Sequence, residues 1–264
     1  MKFNPNELHT KRARLLARIQ RRYQTVTETH AIGPLRLPFT RVTDPDVVLD
    51  QIVEQEDRRE RLTGQRRDGN DLHLPYWAEL WDSAFGIGAF LADHPVTPSP
   101  RHPLTVLDLG CGMGFAGMVA AAMGAHVLLA DLESDALLFA RLNTLPWWDQ
   151  VRTRRLDWQK DRLYERFDVI VGADVLYDRS QWEFLETFFR AHLKIKGVVL
   201  LGEPGRQTGD MFPEWIASRG WDLEAIERKV ATRQRPIRIF RVSTLTPTLS
   251  LPGRGSKSEK IKHS

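Results

Sequence analysis

The stretch "VLDLGCGMGFAG", residues 106–117, decides the fold class of this chain. Its first residues form an apolar run typical of a buried strand, and the glycines that follow indicate a sharp turn into a helix. Glycine also lets the backbone approach a ligand without a Cβ in the way. Residues 112–117 satisfy the dinucleotide-binding fingerprint, which by itself is a weak signal. The surrounding sequence must therefore decide what binds at this turn.

Short apolar runs alternate with helical segments from Leu104 onward, which is the pattern of a parallel sheet with crossover helices. The predicted strands are residues 104–109, 126–131, 151–156, 167–172, 197–202, 223–230 and 237–242. The predicted helices are residues 115–123, 134–145, 181–193 and 211–219. The sequence therefore predicts an α/β domain.

We predict an N-terminal extension over residues 1–73, a main domain over residues 74–242 and a disordered basic tail over residues 243–264. In the extension, the sequence predicts a basic amphipathic helix (6–24), short strands (32–42), a helix opened by Asp44 and Pro45, and a polar loop (62–71). The basic helix could contact an acidic partner or a membrane surface. The favoured interpretation is a helix packed on the domain with a solvated basic face.

The composition argues against several functions. The net charge of the 264-residue chain is +4, but residues 241–264 hold five Lys or Arg against one acid, so residues 1–240 balance at 33 basic and 33 acidic groups. Nucleic-acid binding is therefore not expected. The histidines lack the paired spacing of metal ligands, and no apolar run predicts a membrane span. The single cysteine, Cys111, excludes an intramolecular disulfide and favours a reducing, cytoplasmic location.

Asp131 ends the second predicted strand, 21 residues after Gly110. A carboxylate at this place can accept hydrogen bonds from both ribose hydroxyls of an adenosine cofactor. The alternative is a surface acid that caps the next helix, but Ser134 and Asp135 offer better caps. We therefore favour a ribose-binding role for Asp131.

Polar and aromatic residues follow the third and fourth predicted strands as well. Asp157 could accept from an adenine amino group and Trp158 could cover a purine, although both could also belong to a wet loop. Asp174 and Tyr177 form a polar pair, spaced i, i+3, that could hold an incoming nucleophile. Equally, Asp174 could cap the helix containing Trp182, with Tyr177 packed beside it.

Two tryptophans stand four residues apart in "LPYWAELWDSA", residues 74–84. If this stretch is helical, Trp77 and Trp81 share one face of the helix. Both could serve as core residues, since large aromatic side chains are mostly used for packing.

The motifs "VLDLGCGMG", Asp131, "DW" at 157–158 and "ADVLY" at 173–177 resemble the class I, seven-stranded S-adenosylmethionine-dependent methyltransferases. With "PYWAELW", they more narrowly resemble the branch of protein-lysine methyltransferases that includes the enzyme acting on the electron transfer flavoprotein β subunit. The likeness covers about residues 74–242. It implies a Rossmann-like, mostly parallel sheet of order 3-2-1-4-5-7-6, with an antiparallel seventh strand and helices on both faces.

The resemblance implies S-adenosylmethionine as cofactor and assigns roles to individual residues. Gly110, Cys111 and Gly112 would line its methionine part, Asp131 would hold ribose, and Trp158 and Ala173 would flank adenine and the sulfonium side. Trp81 would contact the cofactor, with Trp77 as its buttress. The full set of predicted cofactor-binding residues is Trp81, Asp108, Gly110, Cys111, Gly112, Gly114, Asp131, Asp157, Trp158 and Ala173.

We therefore expect in-line transfer of a methyl group to an amine, with a protein lysine as the acceptor implied by the branch. A small-molecule amine and a nucleic acid are the alternative acceptors. Asp174 and Tyr177 would bind and align this acceptor, and Cys111 is a small turn residue, not a nucleophile. One departure is Glu203 in "GEPGR", where the resemblance leads us to expect a more neutral turn in many relatives, although some have a similar acidic-Pro-Gly-Arg run. The alternatives are an NAD-dependent oxidoreductase and a non-catalytic cofactor-binding or assembly module.

Overall fold

A computed structural model describes residues 5–64, 74–94 and 103–244. Most of the predicted polar loop (62–71) and nearly all of the predicted basic tail (243–264) lie outside these residues. The first two residues of that tail, Ser243 and Thr244, are the end of a strand. Within the described ranges, no helix is both long enough and apolar enough to cross a bilayer.

The N-terminal part consists of two helices on either side of an antiparallel β-hairpin: α1 (Pro5–Gln20), β1 (Thr25–Ile32), β2 (Leu35–Val42) and α2 (Pro45–Thr63). As predicted, Asp44 caps α2, and its side chain accepts a hydrogen bond from the backbone N–H of Asp46. The predicted strands at 32–42 were incomplete, because β1 precedes them. Seven of its eight residues are only partly buried or exposed, so β1 carries little apolar periodicity in the sequence.

The main sheet has seven strands in the order β5-β4-β3-β6-β7-β9-β8. β3 pairs in parallel with β4 and β6, whereas β9 is antiparallel to both β7 and β8. This order is the 3-2-1-4-5-7-6 arrangement that the resemblance implies. The strands are β3 (Thr105–Leu109), β4 (His126–Asp131), β5 (Val151–Arg155), β6 (Phe167–Ala173), β7 (Leu193–Glu203), β8 (Trp221–Arg228) and β9 (Ile237–Thr244).

Helices cover both faces of the sheet, because successive strand residues point to opposite sides. Val106 belongs to the core beneath α1, the hairpin and three helices: α3 (Asp82–Asp93), α4 (Phe115–Ala122) and α5 (Ser134–Asn143). Its neighbour Leu107 belongs to the core beneath α6 (Trp182–His192) and α7 (Gln207–Ala217). The predicted fold class is confirmed, although α7 begins four residues before the predicted Met211 and β7 begins at Leu193.

Candidate active site

The glycine-rich turn connects β3 to α4 and brings the backbone to the carboxyl edge of the sheet. Gly110, Gly112 and Gly114 all have positive φ angles, of 67°, 52° and 85°. At Gly110 a Cβ would lie 3.2 Å from the side chain of Val175 and 3.5 Å from the ring of Trp158. Both the conformation and the crowding therefore require glycine at this position.

Asp108 lies beneath the turn and is 1% exposed. Its carboxylate accepts a 2.8 Å hydrogen bond from the backbone N–H of Gly117 in the first turns of α4. Burial raises the pKa of Asp108 to about 7. This placement suits a residue that holds the turn in shape, and it keeps the side chain away from the open edge where a ligand could contact it.

Asp131 ends β4 and ties the turn to the neighbouring strand. One carboxylate oxygen accepts from the N–H of Gly112 at 2.8 Å, and the other accepts from the N–H of Glu133 at 2.9 Å. Each oxygen keeps a second lone pair, so the group can still accept from two hydroxyls. Burial raises the pKa of Asp131 to about 6, although the two N–H donors oppose that shift.

The expected capping of α5 by Ser134 or Asp135 is wrong. Glu133 is the N-cap residue of α5, and it makes no capping bond with its side chain. Asp135 instead accepts a 2.6 Å hydrogen bond from the Tyr23 hydroxyl and pairs with Arg22, so the N-terminal extension uses its carboxylate.

Trp158 follows β5 and faces the glycine turn. Its indole N–H donates to the side-chain oxygen of Gln181 at 3.2 Å, which fixes the ring plane beside Gly110. Asp157 is used within its own loop: one carboxylate oxygen accepts from the N–H of Gln159 at 3.0 Å, and the other lies 3.2 Å from the Lys160 ammonium. Of this predicted pair, Trp158 therefore lies against the turn, whereas the Asp157 carboxylate bonds within its own loop.

Asp174 stands directly after β6, and therefore after Ala173, in a left-handed conformation with φ of 57°. Such a conformation is strained for a residue other than glycine, and strain of this kind clusters at functional sites. The N-cap residue of α6, the helix that contains Trp182, is Gln181. Asp178 caps only the short 3-10 turn before that helix, where it accepts from the N–H of Ser180 at 2.9 Å. The capping alternative for Asp174 is therefore wrong.

The carboxylate of Asp174 is paired with Arg206 from the turn after β7. The guanidinium donates from Nε to one oxygen at 3.0 Å and from Nη2 to the other at 2.9 Å. The Asp174 side chain is 7% exposed, whereas that of Arg206 is 41% exposed. Sequence reasoning missed Arg206, because nothing in the local pattern relates it to a residue 32 positions earlier.

Tyr177 belongs to a group of three aromatic side chains at the rim of the site, with Tyr76 and Trp81. The Tyr177 and Tyr76 ring centroids are 5.3 Å apart, and those of Tyr76 and Trp81 are 6.4 Å apart. Burial raises the pKa of Tyr177, and the nearby charges of Asp174 and Asp131 act in the same direction. Tyr177 is therefore a rim residue within electrostatic range of both carboxylates, those that the sequence assigned to ribose and to the acceptor.

The expectation that Trp77 and Trp81 share one helix face is wrong. Trp77 lies in a short 3-10 turn, residues 76–78, and Trp81 is the N-cap residue of α3. Trp77 is buried against Tyr23 and Phe139, and its backbone carbonyl faces Gly112. Trp81 is partly exposed, and the Arg206 guanidinium lies 5.5 Å from the centroid of its ring. The two indoles therefore have separate environments, one in the core and one at the site.

An open pocket of about 350 Å³ lies beside the Asp174–Arg206 pair. Its lining residues are Glu79, Leu80, Trp81, Asp82, Asp174, Pro204, Gly205, Arg206 and Arg233. Cys111, by contrast, is buried in the turn, and burial raises the pKa of its thiol well above the ordinary value. The site thus offers a cleft with carboxylates and aromatic rings and no accessible thiolate nucleophile among the residues at the turn.

The comparison with known sequences identifies the family. A sequence profile described as lysine methyltransferase matches residues 73–212. The electron transfer flavoprotein beta subunit lysine methyltransferase of Xenopus laevis is 34% identical over 146 residues, covering 53% of this chain and 56% of the relative. The protein N-lysine methyltransferase METTL21A of Xenopus tropicalis is 31% identical over 131 residues, covering 47% and 58%. The chain thus spans a little over half the length of these relatives.

Solved structures share the fold at low identity. The glycopeptide N-methyltransferase MtfA, complexed with sinefungin, superposes with a TM-score of 0.51 at 14% identity, covering 60% of this chain and 93% of that one. Magnesium protoporphyrin IX methyltransferase (ChlM) from Synechocystis PCC 6803, with bound SAH, gives 0.51 at 16% identity, covering 76% and 99%. These likenesses concern the fold. Because the matched profile covers more than half of the sequence, the chain belongs to the lysine methyltransferase family.

Proposed function

We propose that this chain is an S-adenosylmethionine-dependent methyltransferase that methylates a lysine side chain of a protein. The observation that carries the proposal is that two sets of residues follow neighbouring parallel strands at one sheet edge: the glycine turn with Asp131 and Trp158, and the pair Asp174 and Tyr177. Membership of the lysine methyltransferase family supports lysine as the acceptor.

The residues around the turn fit an adenosyl ligand. The backbone of residues 110–114 comes close to the edge, Asp131 has lone pairs for two ribose hydroxyls, and the Trp158 ring offers a flat apolar face for a base. When bound, S-adenosylmethionine supplies a methyl group on a sulfonium that is already a good leaving group, so no covalent enzyme intermediate is needed. We assign Asp108 to the support of the turn, and Asp157 remains a weaker candidate for the adenine amino group.

Asp174 and Tyr177 are assigned to the acceptor. A lysine amine is protonated at neutral pH and must lose a proton before its lone pair can attack. With the donor held by the glycine turn, Asp131 and Trp158, the donor would supply the methyl group and keep the C–S electron pair on sulfur, and the nitrogen, after release of its proton to solvent, would take the positive charge. The site contributes mainly by aligning the amine, and positioning of this kind is worth about 7–11 kcal/mol.

In this proposal, residues 74–242 form the methyltransferase domain and residues 1–73 form an extension, whose described part packs on that domain. The two parts share one apolar core that includes Phe39 of the hairpin and Phe115 of α4. A cytoplasmic location stays a prediction that rests on the single cysteine.

The structure supports two alternative functions to different extents. An NAD-dependent oxidoreductase shares the glycine turn and the strand-end acid, but the dinucleotide-binding fold has the strand order 3-2-1-4-5-6, without an antiparallel strand inserted before the sixth. The order in this chain argues against it. A module that binds the cofactor without catalysis shares the whole cofactor side of the site, so only an activity measurement separates it from the proposal.

Calorimetry with S-adenosylhomocysteine and with NAD tests the cofactor. The proposal expects binding of S-adenosylhomocysteine and none of NAD, and the reverse result would favour the oxidoreductase.

Incubation with methyl-labelled cofactor and a cell lysate tests the activity. We expect label in protein, with mass spectrometry placing it on a lysine Nζ. Cofactor binding without any incorporation would favour the non-catalytic module.

A further inference from the structure

Arg206 is held at two points, so its position is set by the ends of β6 and β7. Its side chain pairs with Asp174, and its backbone N–H donates to the carboxylate of Glu203. The Glu203 carboxylate also accepts from the backbone N–H of Gly205 at 2.8 Å. The backbone N–H of Asp174 donates to the carbonyl of Gly202 in β7 at 2.9 Å. These hydrogen bonds connect the end of β6 to the end of β7 at several points. They therefore fix the position of the Arg206 guanidinium relative to Asp174.

Glu203, which accepts two of these hydrogen bonds, is 2% exposed and is itself paired with Arg238. A buried, multiply bonded carboxylate is costly unless all its partners are in place. On its outer side, the Arg206 guanidinium lies over the ring of Trp81, 5.5 Å from the ring centroid. Arg206 is therefore held in place by the residues around it, and its ion pair with Asp174 is part of the structure of the site.

The pairing resolves a conflict in the chemistry of lysine methylation. A carboxylate can orient an amine through an N–H···O bond, but a lone carboxylate also stabilises the ammonium form, which has no lone pair to attack. The pair of Asp174 and Arg206 carries no net charge, while each Asp174 oxygen keeps a lone pair for a further donor.

The geometry points to Arg206 as a positioning residue that cancels the charge of Asp174, so that the acceptor site binds the neutral amine and does not trap the ammonium ion. The inference rests on the proposed methyl transfer to lysine and deepens it. The other ionisable side chains of the pocket are Glu79, Asp82 and Arg233, with the phenols of Tyr76 and Tyr177 at the rim.

Binding of n-butylammonium, a mimic of the lysine side chain, tests the inference without turnover. At pH 7.5 and low salt, saturation-transfer NMR should show weak binding to the wild-type chain. R206Q should bind this cation roughly fivefold more tightly, because Asp174 is left unpaired. R206K should bind like the wild type, because it restores the charge. The uncharged analogue n-butanol should not distinguish these proteins.

Two further variants make the result specific. R233Q removes a positive charge from the same pocket but leaves the Asp174–Arg206 pair intact. Its affinity for n-butylammonium should therefore rise by less than about twofold. The double variant R206Q/D174N should bind n-butylammonium without the increase in affinity seen in R206Q, because it has no unpaired carboxylate at position 174. If R206Q does not fold, R206A uncovers the same carboxylate and keeps the backbone bond to Glu203. Unchanged cation affinity in the folded variant, or an equal gain in R233Q, would overturn the inference.

A kinetic readout follows if the wild-type chain labels an acceptor. The pH at which the turnover number is half-maximal should lie about one unit higher in R206Q than in the wild type, with R206K close to the wild type. An unshifted profile contradicts the inference while leaving the proposed function intact. Absence of any labelling by the wild type contradicts the proposed function, and the butylammonium result still decides the role of Arg206 in the charge of the site.

Discussion

The side chain of Asn143 exchanges two hydrogen bonds with the backbone of Thr40, 103 residues away. Its Oδ1 accepts from the Thr40 N–H at 2.8 Å, and its Nδ2 donates to the Thr40 carbonyl at 3.0 Å. The same Nδ2 donates to the carbonyl of Met113 in the glycine turn at 3.0 Å. One buried amide therefore connects the hairpin of the extension to the turn that we assign to the cofactor.

Replacing Asn143 by alanine should destabilise the whole chain. The change removes these three bonds and leaves buried backbone groups without partners, so we expect a loss of about 2–4 kcal/mol in the free energy of unfolding. Urea denaturation measures it. Q20A, which removes one exposed bond to Thr25 in the same extension, should change stability by less than about 0.5 kcal/mol. Equal effects of the two variants would contradict the linking role of Asn143.

Replacing Asp131 by alanine should weaken binding of S-adenosylhomocysteine at least about tenfold, because a charged acceptor for two hydroxyls is lost. Calorimetry at pH 7.5 measures the affinity. E133Q is the control, because Glu133 bonds to Asp131 through its backbone N–H, which the substitution keeps, and the charge that it removes acts on Asp131 only through its pKa. An unchanged affinity in D131A would remove the ribose-binding assignment.

The affinity of the wild type for S-adenosylhomocysteine should fall as the pH falls through about 6. Burial raises the pKa of Asp131 to about 6, so the charged acceptor is lost below that value. Calorimetry between pH 5 and pH 8 tests this, using D131N as the control variant. D131N should lack the step near pH 6, and a step of the same size in D131N would assign the titration to another group.

The contribution of Asp108 to the stability of the ligand-free chain should decrease as the pH rises from about 4 to about 7, whereas His30 and His192, whose pKa values are lowered by burial, act in the opposite direction over part of this range. The pKa of Asp108 rises from 3.8 to about 7 on burial, so in this range the folded state holds a proton that the unfolded state has released. Asp131 contributes in the same direction. D108N keeps an oxygen acceptor for Gly117 and should remove the Asp108 contribution, so the difference in melting temperature between the wild type and D108N should fall as the pH rises through this range. An identical slope in D108N would be the contrary result.

Replacing Asp174 by alanine should lower turnover by about 10²-fold, because the amine loses its alignment. Affinity for S-adenosylhomocysteine should stay within about twofold, since Asp174 lies on the acceptor side. Comparison of labelled-methyl transfer with calorimetry separates the two quantities. D178N serves as the control, because it replaces a nearby acid that caps the turn at Ser180 and that we do not assign to the acceptor. Unchanged turnover in D174A would remove the assignment of Asp174 to the acceptor.

Much of the fold could be predicted because its signals are local. The apolar runs of the parallel strands are continuous, since both faces of each strand are covered, and they mark the strands within a few residues. The left-handed glycines at 110, 112 and 114 likewise report a backbone shape that few other residues adopt. β1 was missed because a partly exposed strand has no such run.

The site was predictable only in part. Asp131 and Asp174 could be placed at the ligand edge, because the carboxyl ends of parallel strands meet there. The neighbours of these residues were not predictable, because they come from distant segments. Trp77 and Trp81 illustrate the limit: their i, i+4 spacing favours a shared helix face, but the helix begins only after Trp81.

The sequence by itself determined the α/β class, the glycine turn, the strand-end acids and the resemblance to a methyltransferase family. All of these depend on residue type and on spacing along the chain. The tertiary structure alone decided that Arg206 neutralises Asp174 and that Asn143 joins the extension to the turn. The physical reason is that a buried charge or amide must find its partner in space, and packing of the whole chain determines which residue that is.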